Sequence, residues 1–193
     1  MGHTSYAIKK EKLYHHMHLI RWAGALLSSD VERWTKEDHM AITVLKDLLV
    51  GKNQVDKYFE KSAPVNLWRA LNVKTSKHPF EFVEHPFILS NGRPRPADIT
   101  IEIFRGQEWV RIKERPRGLS TFDKPGIPSG KNWEYYMIPK GTSLPYGLAI
   151  VKDEYNTYYD ATHYTIAPAF DMTLVRFKLL LNQLAEALVK EAA

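Results

Sequence analysis

At 193 residues, with 27 Lys and Arg against 22 Asp and Glu, the chain suits one or two domains that bury about 70% of the unfolded surface. It has no cysteine, which excludes a disulfide framework, a thiolate metal site and a cysteine nucleophile, and fits work in a reducing cytoplasm. A net charge of +5 and a pI near 9.2 favour anionic partners: nucleic acid, a phosphorylated cofactor or an acidic protein.

Lys9, Lys10 and Lys12 precede an apolar stretch that His15, His16, His18 and Arg21 interrupt, so no signal-peptide core is expected. No run approaches the roughly 18 apolar residues of a membrane span, and no membrane association is expected. Leu13, Met17, Ile20 and Leu27 recur at helical spacing until Ser28-Ser29-Asp30, which predicts a first helix. Thr35 to Asp38 reads as a capping box, and Met40, Val44, Leu45, Leu48 and Leu49 form an apolar face up to Gly51, predicting a second. A third, shorter helix is expected over Gln54 to Lys61.

After Pro64 the hydrophobic period changes to two. Val65, Leu67, Leu71 and Val73 share one face of a predicted strand, and Arg69 stands where a fifth apolar residue would complete it. A guanidinium there needs either a carboxylate, with Asp98 and Glu102 as candidates, or an anion that its fork can clamp. Residues 74–98 read as loops with at most short strands. Ile99, Ile101 and Ile103 then alternate as a strand, with Trp109 to Ile112 as its hairpin partner across Arg105-Gly106. Arg115 to Lys131 is punctuated by Pro and Gly around Gly118 to Asp123, the pattern of a functional loop.

In the last third, alternation over Ala161 to Pro168 places Ala161, His163, Thr165 and Ala167 on one face and Thr162, Tyr164 and Ile166 on the other. His163 is open to two readings, a core histidine satisfied by a carbonyl or a ligand-facing residue with small neighbours. Asp160 is the nearest carboxylate in sequence on its N-terminal side. After Pro168, Asp171 reads as the cap of a final helix whose face is Leu174, Phe177, Leu181, Leu184 and Leu188. Neighbouring histidines diverge around a helix, so His15, His16 and His18 make no metal site, and none is expected elsewhere. No phosphate-loop lysine motif, dinucleotide-binding glycine fingerprint or nucleophile elbow is present.

The order Ile138-Pro139-x-Gly141-Thr142, Leu148, Val151, Tyr155-Asn156 and Ala161-Thr162-His163-Tyr164-Thr165-Ile166-x-Pro168 resembles one family. It is the cytotoxic type VI secretion effectors with an ADP-ribosyltransferase-like fold, the Tse-two toxins. Upstream agreement runs through Ser120-x-Phe122-Asp123, Pro96 to Ile99 and Leu67 to Ala70, so the resemblance covers about residues 65–171.

The periodicities predict a helical N-terminal extension over 1–63, for which the resemblance offers no counterpart, and a closing C-terminal helix; the resemblance implies that 64–193 forms a split antiparallel two-sheet domain, so the chain is expected to be α+β. The resemblance also implies NAD as substrate, with Arg69, Ser120 and His163 as catalytic positions. Arg69, Ser120, Thr121, Tyr155 and Tyr164 would contact the dinucleotide, with Arg69 on a phosphate or ribose and the tyrosines supplying stacking surface. The expected activity is ADP-ribose transfer to a macromolecular acceptor or NAD hydrolysis in a target cell's cytoplasm. The expected partners are an immunity protein and a secretion component. A rival reading is a non-catalytic module that grips RNA or an acidic protein through Arg93, Arg95, Lys113, Arg115 and Arg117.

Overall fold

Alternating apolar residues need a second layer to bury against, and a computed structural model of the chain shows how that need is met. The structure describes residues 42–190, and both N-terminal helix starts and the three clustered histidines lie outside them. The compact unit begins at Thr43. Helix α1 (Leu45–Gly51) is the described part of the second expected helix. The third expected helix is instead a short 3-10 turn, Val55–Lys57, followed by strand β1 (Tyr58–Phe59). Tyr58 and Phe59 pair with Val151 and Ile150, so strand hydrogen bonds take the backbone that a helix would have used.

The strands that follow are β2 (Leu67–Asn72), β3 (Phe87–Ile88), β4 (Pro94–Arg95), β5 (Ile101–Phe104) and β6 (Gln107–Val110). Then come β7 (Leu119–Phe122), β8 (Trp133–Ile138), β9 (Leu148–Asn156), β10 (Ala161–Pro168) and β11 (Met172–Thr173). Helix α2 (Leu174–Ala185) and strand β12 (Val189–Lys190) complete the described chain. A seven-stranded sheet runs in the order β1-β9-β10-β7-β2-β8-β12, beside a three-stranded sheet β11-β6-β5 and the hairpin β3-β4. All pairings between these strands are antiparallel, so the described residues form the expected α+β arrangement.

The expected hairpin over Ile101 to Val110 is present, turned by Arg105 and Gly106 with φ of 52° and 74°. Two central residues of positive φ match the twist of the flanking strands. Residues 119–122, expected within a loop, are instead a central strand held by β10 on one side and β2 on the other. Gly118 makes that fit: a β-carbon there would lie 1.9 Å from the Ile166 carbonyl oxygen, so only glycine admits β7 this close to β10.

One face of the large sheet carries Leu67, Leu119, Ile138, Leu148, Ile150, Tyr164 and Ile166, and packs on Leu174, Phe177, Leu181 and Leu184 of α2. Thr173, not Asp171, caps α2 by accepting the Arg176 amide at 3.3 Å. Asp171 is buried and joins three segments, accepting from the Thr43 amide, the Ile112 amide and Arg111. The opposite face is covered over Ala149, Val151 and Ala167 by Leu45 and Leu49 of α1.

Candidate functional site

Strands β9, β10 and β7 build the site. Their registers set His163 beside Phe122 and Thr165 between Ser120 and Val151. Cross-strand pairs share a face, so Ser120, Phe122, His163 and Thr165 lie on the α1 side of the sheet, beyond the part that α1 covers. Ser120 is exposed, and the His163 side chain retains 27% of its accessibility. The alternation expected from His163 to Ala167 is therefore present.

The histidine's partner is not Asp160. At the β9–β10 tip, Asn156 pairs with Ala161 and Tyr155 with Thr162, but further along Lys152 pairs with Tyr164. Two residues of β9, Asp153 and Glu154, thus stand opposite His163 alone, a bulge that redirects the side chains around it. Asp153 Oδ2 lies 2.7 Å from His163 Nδ1 and accepts the Thr165 hydroxyl at 2.6 Å. The Phe122 ring packs against the imidazole at 5.1 Å, nearly edge-on at 67°, and Tyr159 packs on Phe122 at 5.7 Å. Asp160 sits in the turn with a φ of 49° and bonds Lys124 and the Tyr155 hydroxyl. Plain hairpin counting from the turn would have named Glu154; only the bulge substitutes Asp153.

Arg69 occupies the other side of the sheet, since Trp68, its neighbour, is the residue that pairs with Phe122. Its Nε donates to the Pro79 carbonyl at 2.9 Å, Nη1 to the Ser120 carbonyl at 3.0 Å and Nη2 to the Glu81 carbonyl at 3.0 Å. Neither expected carboxylate pairs with it: Asp98 binds Arg95, and Glu102 binds Arg111 and Lys113. Burial lowers the Arg69 pKa to about 10, with Asp98 acting in the opposite direction. Arg69 thus ties the 79–81 loop to the strand that presents Ser120.

Two other expected contact residues lie in the core. Thr121 is fully buried and donates its hydroxyl to the Tyr164 carbonyl at 3.0 Å. Tyr164 is itself 5% exposed, and burial, aided by the Asp123 charge, holds its phenol above the usual range. Both alternate onto the apolar face, for the same reason that Ser120 and His163 do not. Tyr155 is 55% exposed at the hairpin tip. Of the five basic residues of the rival reading, three are engaged: Arg95 with Asp98, Lys113 with Glu102, and Arg117 with the Ala97 carbonyl.

The family model described as the Tse2 ADP-ribosyltransferase toxin matches residues 46–193. The chain belongs to the Tse2 ADP-ribosyltransferase toxin family. The match begins upstream of the resemblance read from the sequence and takes in all but the first residue of α1, the helix that covers half of the site-bearing face. The chain is also 42% identical over 88 residues to Toxin Tse2 of Pseudomonas aeruginosa, across 46% of this chain and 54% of that protein. The chain thus spans about half the length of the curated relative it matches. In this Tse2-family chain, Ser120 is exposed and His163 half-buried with a carboxylate behind the imidazole, whereas Thr121 and Tyr164 are buried in the core.

Proposed function

We propose that this chain is a cytotoxic effector that binds NAD and cleaves its nicotinamide–ribose bond, passing ADP-ribose to a macromolecular acceptor or to water. It acts in the cytoplasm of a target cell after delivery by a type VI secretion component, and an immunity protein silences it in the producing cell. The observation that carries this reading is that His163, backed by Asp153, shares a sheet face with the exposed Ser120, which lies two residues along β7 from the Phe122 that pairs with the histidine. Family membership supports NAD as the substrate.

Cleavage of that bond leaves positive charge on the ribose and requires a nucleophile to lose a proton. A polar face that holds the ribose hydroxyls and supplies a base meets both demands. In this reading Ser120 and His163 touch the substrate. Arg69 supports them from the other side of the sheet, through its bond to the Ser120 carbonyl. The RNA-binding alternative loses ground because Arg95, Lys113 and Arg117 are already engaged.

The test is NAD loss and nicotinamide release in cells induced for the chain, against folded His163→Ala and Ser120→Ala variants. NAD should fall with the parent and about 100-fold more slowly with His163→Ala, the scale of a lost acid–base group. Growth arrest at constant NAD rejects the reading.

A further inference from the structure

We infer that Asp153 and Thr165 are positioning residues that hold His163 as the Nδ1–H tautomer and leave its Nε2 lone pair free to take a proton. This role rests on the functional reading above and adds two residues to its site.

An ionised carboxylate only accepts hydrogen bonds. With Asp153 Oδ2 at 2.7 Å from Nδ1 and 2.6 Å from the Thr165 hydroxyl oxygen, both neighbours must donate to that one oxygen. His163 therefore carries its proton on Nδ1 when neutral, and Nε2 is an acceptor. Thr165 is 6% exposed and one residue from the fully buried Ile166, so its hydroxyl fixes the carboxylate from the rigid side of the sheet. The Phe122 ring bounds the imidazole at 5.1 Å. Glu154, the other residue opposite His163, is exposed.

In the reaction proposed, the oxygen of water or of an acceptor hydroxyl bonds to the anomeric carbon as the carbon–nitrogen bond to nicotinamide breaks. The bonding pair goes to the nicotinamide nitrogen, and the O–H proton goes to His163 Nε2. The Asp153 carboxylate stabilises the imidazolium so formed, as general-base dyads require.

The experiment is nitrogen-15 NMR of the full chain labelled at histidine, with the His163 signals identified by their loss in His163→Gln. The parent should show the Nδ1–H tautomer. Asp153→Asn keeps the shape but lets an amide N–H donate to Nδ1, so the proton should move to Nε2 and NAD loss should slow about 100-fold. Thr165→Val should give mixed tautomers with about a 10-fold loss, and Thr165→Ser should restore both signal and rate. A parent protonated at Nε2, an Asp153→Asn variant with unchanged tautomer, or a Thr165→Ser variant that behaves as Thr165→Val overturns the inference. A parent that shows the Nδ1–H tautomer and an Asp153→Asn variant that switches it, with no NAD consumed by the parent, support the positioning roles and reject the functional reading.

Discussion

The α1-facing side of the large sheet has two halves built on the same strands. Ala149, Val151 and Ala167 lie under Leu45 and Leu49, while Asp153, Thr165 and His163, a few residues along the same strands, have no helix above them among the described residues. The small residues of the covered half let a helix approach, and removing their area from water stabilises the fold. The polar residues of the other half would each need a buried partner if covered, and they find partners in one another instead. Burial on one half and chemistry on the other follow from which side chains a single pair of strands presents.

Breaking the covered half should have the largest effect on stability. Leu49→Ala, at a residue 1% exposed, should cost about 3 kcal/mol in urea unfolding, from lost burial and the cavity left behind. His163→Ala on the open half should cost less than about 1 kcal/mol in the same measurement. Arg69→Ala should lose about 2 kcal/mol, because three backbone carbonyls forfeit a charged donor. A drop in activity in that variant therefore has to be read alongside its melting temperature.

The adjacent pair Ser120 and Thr121 sharpens the comparison. Thr121→Val should lower stability by about 1 kcal/mol through the lost bond to Tyr164 and spare NAD turnover. Ser120→Ala should do the reverse, slowing turnover with stability changed by less than about 0.5 kcal/mol. The smallest effect expected is at the far edge of the sheet, where the Lys190 hydrogen bond, then that of Tyr136, holds the Glu134 carboxyl below its usual range. A carboxylate so depressed contributes above its unfolded pKa and loses that contribution as pH falls through the folded one. Protection of the Val189 and Lys190 amides from exchange, taken relative to the intrinsic rate at each pH, should fall once pH drops below the usual carboxylate range, and Glu134→Gln should remove that dependence.

Period-two alternation, a property of extended backbone, was legible along the chain: it paired His163 with Thr165, put Arg69 between Leu67 and Leu71, and placed the hairpin at Arg105-Gly106. Local sequence failed where a distant strand competed for backbone hydrogen bonds. Tyr58 and Phe59 became a strand because Val151 and Ile150 offered a sheet edge, and residues 119–122 became a central strand because Gly118 lets them reach β10. Thr121 and Tyr164, read as ligand contacts, were removed from the site by the same alternation once the sheet showed which face was core.

By itself the sequence determined the strand periods, the amphipathic α2 and the motif order that marks the family, since these depend on neighbours a few residues apart. The tertiary structure alone decided which carboxylate serves His163. A one-residue bulge in β9 exchanges Glu154 for Asp153, and such a shift arises from how two strands twist together and leaves no mark in either strand's own pattern.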